Sequence, residues 1–249
     1  MSPDDAGGSV AILARRGGLV IVAKPAGLAT LPAKRGPERT LAAVAAALLG
    51  VRATDIHVVT RLDAPVSGAV LLAVDAEARR IAVVAHEAHA LHRGYAAIAA
   101  HRPEPSEGEW SAPIGRGMRP GTWQAGGKDA RPASTQYRVV ATTRAAAPGG
   151  APLEPTLLAL QPRTGRTHQL RIHAATAGAP LLGDAAHDGP RRVVTGNGSV
   201  IECPRVALHA LRLELTLDDA TLGAEAPVPA DMQGIWAALG GAPEAWRAV

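Results

Sequence analysis

The apolar residues of this chain come in short runs, and the order of those runs restricts the fold more than any other feature. Residues 19–23 (LVIVA) suit a strand, closed by the turn Lys24-Pro25-Ala26-Gly27. Thr40 is placed to cap a helix over 41–49 that stops at Gly50. Residues 69–74 read as a buried strand. Asp75 reads as the N-cap of a helix running to about residue 91, with Glu77 favouring its first turn. Strands follow at 95–100, 136–142, 156–161 and 206–217. Short helices are predicted over about 167–177, stopped by Gly178, and over 231–239. Residues 102–135, rich in Pro, Gly and charge, read as a surface excursion, and 145–155 as a linker. Strands and helices mix without a strict βαβ rhythm. This predicts an α+β fold with a mostly antiparallel sheet rather than a doubly wound one.

Composition narrows the functional classes. The chain has 249 residues, 47% of them hydrophobic, enough for a sizeable core. No apolar run reaches the ~18 residues needed to cross a bilayer. The first residues, MSPDDAGG, are acidic and polar, unlike a signal peptide, so the expected location is cytoplasmic. One cysteine, Cys203, makes neither an internal disulfide nor a metal set. The formal net charge is +4 and arginine dominates the basic residues, which suits a phosphate-bearing partner. Phe is absent, so a surface of stacked aromatics is not expected. No Gly-rich phosphate loop follows a strand, and no nucleotide cofactor is expected.

Three constellations carry titratable groups. His86, His89 and His92 in HEAHALH are spaced by three. Such a step drifts by about 60° per interval in a helix of ~3.6 residues per turn, so the rings do not converge on a metal. They read as a helix face near its C-terminus, and a metal hydrolase is the weaker reading. PRTGRTHQLRIH gathers Arg163, Arg166, His168, Arg171 and His173. Its Thr164-Gly165 turn before a helix clusters donors at a positive helix end, which suits phosphate. Arg171 lies between Leu170 and Ile172 and needs an anion if buried. In TRLDAPVSGAVLLA, Asp63 follows Leu62 at the edge of a buried strand and needs a cation. The two requirements answer each other, and an Asp63–Arg171 pair is the expectation.

These segments resemble the RluA-like branch of the RluA/RsuA pseudouridine synthase family. TRLDAPVSGAVLLA is similar to its Arg-Leu-Asp-x-x-(Thr)-Ser-Gly motif, RGYAAIAA to its Lys-x-Tyr-x-Ala strand, and PRTGRTHQLRIHAATAGAPLLGD to its Thr-Gly-Arg-Thr-His-Gln-Ile-Arg-Val-His segment. IVAKPAGLATLP, APIGR, KDARPASTQYRVV, ALHALRLEL and PVPADM match in the family's order, from about residue 19 to 239. The resemblance implies isomerisation of uridine to pseudouridine in ribosomal or transfer RNA, with no cofactor and no metal. It implies that Asp63 attacks or stabilises C1′, that Tyr95 stacks on the uracil and assists C5 deprotonation, and that Arg171 keeps Asp63 ionised. It also implies that Arg61 fills the place of a flipped nucleotide, while Arg163, Arg166 and His168 lie on the RNA side.

The chain departs from the pattern at Thr60 (often His), Val66 (often Thr), Arg93-Gly94 (usually Lys-x) and His187 (commonly Tyr). These changes bear on substrate choice more than on catalysis. The expected organisation is a tail over 1–18 holding one short element, a catalytic domain over 19–241 that alone holds RNA, and a tail over 242–249. A monomer without an obligate protein partner is expected. The rival within the family is a catalytically silent RNA-binding protein.

Overall fold

The computed structural model describes residues 9–32, 39–217 and 220–249. The chain divides into two compact units. One holds residues up to Arg93 with His209–Pro227, and the other holds Gly94–Leu208 with Val228–Val249.

In the first unit, Ala11–Arg16, Leu19–Lys24 and Ser67–Ala73 pair antiparallel in that order. The short element foreseen in the N-terminal tail is therefore an edge strand. Ser67–Ala73 then pairs in parallel with Leu208–Thr216, through Ser67 with His209 and Gly68 with Ala210. Thr221–Glu225 closes the row antiparallel. Every residue of Ser67–Ala73 is buried, as a central strand requires. Helix α1 (Leu41–Leu49) has Thr40 as N-cap, its hydroxyl accepting from Ala43 N–H, and Gly50 in the left-handed region at its end. Helix α2 (Ala76–Glu87) is capped by Asp75, which accepts from Ala78 N–H at 2.7 Å. Leu19, Ile21, Leu71, Ala78, Ala82, Leu213 and Leu215 form the core between α2 and the sheet.

Helix α2 ends four residues before the expected position. Ala90 N–H reaches Ala85 C=O, His89 N–H reaches His86 C=O, and His89 takes φ 56°. This is a Schellman-type stop with histidine in the place glycine usually fills. The histidine trio is thereby split among the last turn of α2, the turn after it and the strand Leu91–Ala99.

In the second unit, Leu91–Ala99 (from Gly94 on), Thr156–Pro162, Thr135–Thr142 and Glu107–Trp110 form an antiparallel row. Helix α3 spans Gln169–Thr176 and helix α4 spans Ala230–Ala238. Ile98, Leu157, Leu182, Met232 and Trp236 belong to one core. The expected C-terminal tail packs on it: Trp246 meets Trp236 edge-on, with ring centroids 6.4 Å apart. The segment read as a linker contributes two-residue strands, Ala145–Ala146 and Pro152–Leu153, to a small sheet with Arg192–Val194 and Val200–Glu202. The excursion over 102–135 contributes Glu107–Trp110 to the main row. It also forms a separate sheet of Ile114–Arg116, Trp123–Ala125 and Lys128–Arg131. Each unit joins mostly antiparallel strands to a few helices, an α+β fold. Among the described residues no helix is long and apolar enough to cross a membrane.

Candidate active site

In the first unit, burial alternates along the segment that leads into the central strand. Thr60 and Leu62 are buried, Arg61 is exposed and Asp63 is half-buried. The inner residues are tied down one by one. The Thr60 hydroxyl accepts from Leu71 N–H at 2.8 Å. The Thr30 hydroxyl donates to Leu62 C=O at 2.6 Å and accepts from Leu62 N–H at 3.3 Å. Ala64 C=O accepts from Gly27 N–H at 2.8 Å and from Lys24 Nζ at 3.1 Å. Positions 60, 62 and 64 thus hold the chain. Between these fastened positions Arg61 is exposed and Asp63 is half-buried.

Lys24 explains how this loop is kept in place. Its side chain is 1% exposed, at the end of an apolar strand. Nζ donates to Pro25, Leu28 and Ala64 carbonyls at 2.9, 2.8 and 3.1 Å. The cost of burying a cation is offset by three charge-assisted bonds that fasten the turn after Lys24 to the residue after Asp63. No role was assigned to Lys24 from sequence. The available signal was a lysine closing an apolar strand run before Pro-x-Gly.

Beyond Asp63, the turn closes through Val66 N–H to Asp63 C=O at 3.0 Å. Gly68 then takes φ +124°, and a Cβ there would lie 2.2 Å from the Ala210 carbonyl oxygen. Only glycine allows the two parallel strands this approach. Ser67 Oγ lies 2.9 Å from His209 Nδ1, and His209 Nε2 lies 3.1 Å from Ala226 C=O. The carbonyl requires the proton on Nε2, so Nδ1 accepts from the serine. The Ser-Gly pair after the aspartate is therefore structural.

In the second unit, the segment around α3 is held by its side chains. Gln169 is buried. Its Oε1 accepts from the Thr164 hydroxyl at 2.6 Å and from Arg166 N–H at 3.0 Å. Its Nε2 donates to Ser134 C=O and to Thr135 Oγ1. His173 is buried between Ala112 C=O and Thr135 Oγ1, both 2.9 Å away, and burial holds its pKa below the ordinary value. Arg171 forms a buried fork with Asp184, Nε to Oδ2 at 2.7 Å and Nη2 to Oδ1 at 2.6 Å. Asp184 follows Gly183, at φ +77°, where a Cβ would meet Arg205 C=O at 1.9 Å. Sequence reasoning assigned no role to Asp184, because nothing in its local pattern marks it as the partner of an arginine on another element.

The remaining residues expected at the site also lie in the second unit. Tyr95 is buried on Leu91–Ala99, opposite Leu160. Arg163 is exposed and donates to Gln136 Oε1 at 2.8 Å. Arg166 donates through Nε to Pro132 C=O at 3.1 Å. His168 takes φ +54° at the start of α3, and its Nδ1 lies 3.1 Å from His187 Nε2. One ring donates and the other accepts. Cys203 is buried and its thiol is pushed up to about 11, first by burial and then by Glu202. It is not a nucleophile at neutral pH. Among the described residues no group of three His, Cys, Asp or Glu side chains is arranged to hold a metal.

The profile of the family described as RNA pseudouridylate synthase matches residues 18–176. An uncharacterized RNA pseudouridine synthase, YhcT, of Bacillus subtilis is 33% identical over 232 residues, covering 92% of this chain and 72% of the relative. The ribosomal large subunit pseudouridine synthase D of Nitrosomonas europaea is 32% identical over 225 residues, 89% of this chain and 62% of the relative. The chain therefore spans about two thirds of the length of these relatives. The solved structure of human RNA pseudouridylate synthase domain containing 4 matches in fold, with a TM-score of 0.67, 24% identity and 92% of each chain covered. The matched region takes in the tied-down Thr60–Ala64 segment, the Ser67–Gly68 crossing and all of α3, and on this ground the chain belongs to the RNA pseudouridylate synthase family, a family of isomerases.

Proposed function

We propose that the chain isomerises uridine to pseudouridine in ribosomal or transfer RNA, with Asp63 as the catalytic carboxylate. The observation that carries this reading is the Thr60–Ala64 segment. Hydrogen bonds fasten 60, 62 and 64, and between them Arg61 is exposed and Asp63 is half-buried. That spacing suits a residue that replaces the base next to one that acts on the sugar. The family match supports the reaction.

In the proposed reaction the Asp63 carboxylate acts at C1′ of the target nucleotide while the N1–C1′ bond breaks. The freed uracil turns and C5 bonds to C1′. The C5 proton is lost, N1 gains one, and the carboxylate is regenerated, so nothing is consumed. Tyr95 packs against the uracil and assists the loss of the C5 proton. Arg171 keeps its charge within the Asp184 fork and supplies the cation of the site. Asp184 in turn fixes the guanidinium plane. Arg61 enters the stack left by the flipped nucleotide and offsets part of its unstacking cost, a few kcal/mol. Arg163, Arg166 and His168 bind the RNA backbone.

The test is release of tritium from RNA labelled at uridine C5, using total RNA as substrate. The expected result is stoichiometric release, with pseudouridine recovered on digestion. Binding of RNA without release would make the chain a silent RNA-binding member of the family.

A further inference from the structure

The excursion over 102–135 supplies most of the wall of a cavity of about 330 Å³ in the second unit, and the turn before α3 supplies the rest. Arg116, Arg131 and Arg166 line it, with Trp123 and a single carboxylate, Asp129. Arg116 stands directly opposite Trp123 on neighbouring strands, and Arg131 opposite Ile114. Cross-strand partners share a face, so the sheet presents ring and guanidinium groups together. Trp123 is half-buried and packs against the cluster of Ile114, Ala133 and Ile172.

The charges here are not compensated. Among the described residues, the side chains of Arg116, Arg131 and Asp129 have no hydrogen-bond or ion-pair partner. Among the described residues, the Arg166 side chain is bonded through Nε alone, to Pro132 C=O. Three guanidinium groups against one carboxylate repel one another, and an entering anion relieves that repulsion. Guanidinium forks match phosphate oxygens, and an indole face matches a base. The volume lies at the lower end of ligand pockets, ~300–1,000 Å³, room for one nucleotide rather than a stretch of strand.

We propose that this cavity binds one RNA nucleotide outside the reacting uridine, its phosphodiester on Arg116, Arg131 and Arg166 and its base on Trp123. Asp129 accepts from a base N–H and keeps the phosphate to the arginine side. The proposal rests on the reading of the chain as an RNA-modifying enzyme. It gives the excursion a task, gripping the substrate.

Binding of a short fluorescein-labelled oligouridylate, followed by anisotropy across a salt series, tests it on the full chain. Wild type is compared with Arg116→Ala, Arg131→Ala and Trp123→Leu. Leucine keeps apolar contact with Ile114 and Ile172 and removes the stacking ring. Each arginine variant is expected to bind more weakly and to flatten the dependence of log affinity on log salt by about 0.7. Trp123→Leu is expected to lose about five- to a hundredfold in affinity with the salt dependence unchanged. Wild-type binding in all three variants overturns the proposal. Weaker binding in the arginine variants alone reduces the cavity to a phosphate site and overturns the nucleotide assignment. A cavity that serves a free nucleotide instead would bind uridine monophosphate as tightly as the oligouridylate, and that result also overturns it. Tritium release by the wild type separates the two readings. Active enzyme with unaffected variants sinks the cavity alone, whereas inactive protein whose binding still falls in the variants sinks the isomerase reading alone.

Discussion

The Thr60–Ala64 segment and the segment around α3 are both family motifs, yet they use their residues in opposite ways. In the first, the ties run through alternate positions to hydroxyls, carbonyls and a buried lysine, and the charged residues lie between the ties. In the second, the polar residues of the motif are themselves the ties. Gln169, Arg171 and His173 are buried and bonded to Ser134, Thr135, Ala112 and Asp184. Polar residues of the α3 segment are buried and bonded, whereas in the Thr60–Ala64 segment Arg61 is exposed and Asp63 half-buried. Substitutions in the α3 segment should therefore cost stability first, and substitutions at Arg61 and Asp63 should cost activity first.

The largest stability effect is expected at Arg171. Arg171→Ala leaves Asp184 buried without its fork, which should cost about 3–5 kcal/mol and lower activity as well. Arg171→Lys should recover part of both, because an ammonium cannot reproduce the bidentate geometry. Urea unfolding checks this, and a wild-type midpoint for Arg171→Ala would break the comparison. Gln169→Leu comes next. It abandons four hydrogen bonds around the Thr164–Arg166 turn at nearly unchanged volume, and should cost about 2 kcal/mol, with activity following the loss of structure. Calorimetry would show the shift.

Arg61 lies on the other side of the comparison. It is exposed, so Arg61→Ala should melt as the wild type does. Its turnover should fall about tenfold on a folded RNA, where the target is stacked, and much less on an unstructured oligonucleotide, where no base needs extruding. Equal losses on both substrates would make Arg61 a phosphate contact instead.

The smallest effect belongs to His173. Burial depresses its pKa in the folded protein below the 6.5 of an exposed histidine. Just below pH 6.5 the unfolded chain binds the proton and the folded protein does not. Its contribution is therefore complete above that pH and is lost as the pH falls toward the folded value. His173→Gln can still donate to Ala112 C=O and accept from Thr135. It should flatten the slope of unfolding free energy on the acid side of 6.5 while leaving the neutral side nearly unchanged.

Much of this organisation was legible in the sequence, where the determinants are local. Thr40, Gly50 and Asp75 mark their helix ends by cap chemistry, and each does so in the structure. The apolar runs gave strands close to their true bounds. Helix α2 was read too long because its stop uses His89, a residue that carries no stop signal in sequence. The strands Ala145–Ala146 and Pro152–Leu153 are too short to show alternation. At the site, the need of Arg171 for an anion was legible from its apolar neighbours, but Asp184 was not, because the choice of partner is made by tertiary contact. Lys24 escaped for the same reason, since two of its three carbonyl acceptors lie in the adjacent turn and the third lies 40 residues on.

Asp63→Asn tests the central claim most directly, read as paired melting and tritium release on the same preparation. The amide keeps the shape of the side chain and removes the nucleophile. The expected result is a melting temperature and RNA affinity close to wild type with release abolished. Release within about tenfold of wild type, a change of about 1.4 kcal/mol in the barrier, would remove Asp63 from the chemistry.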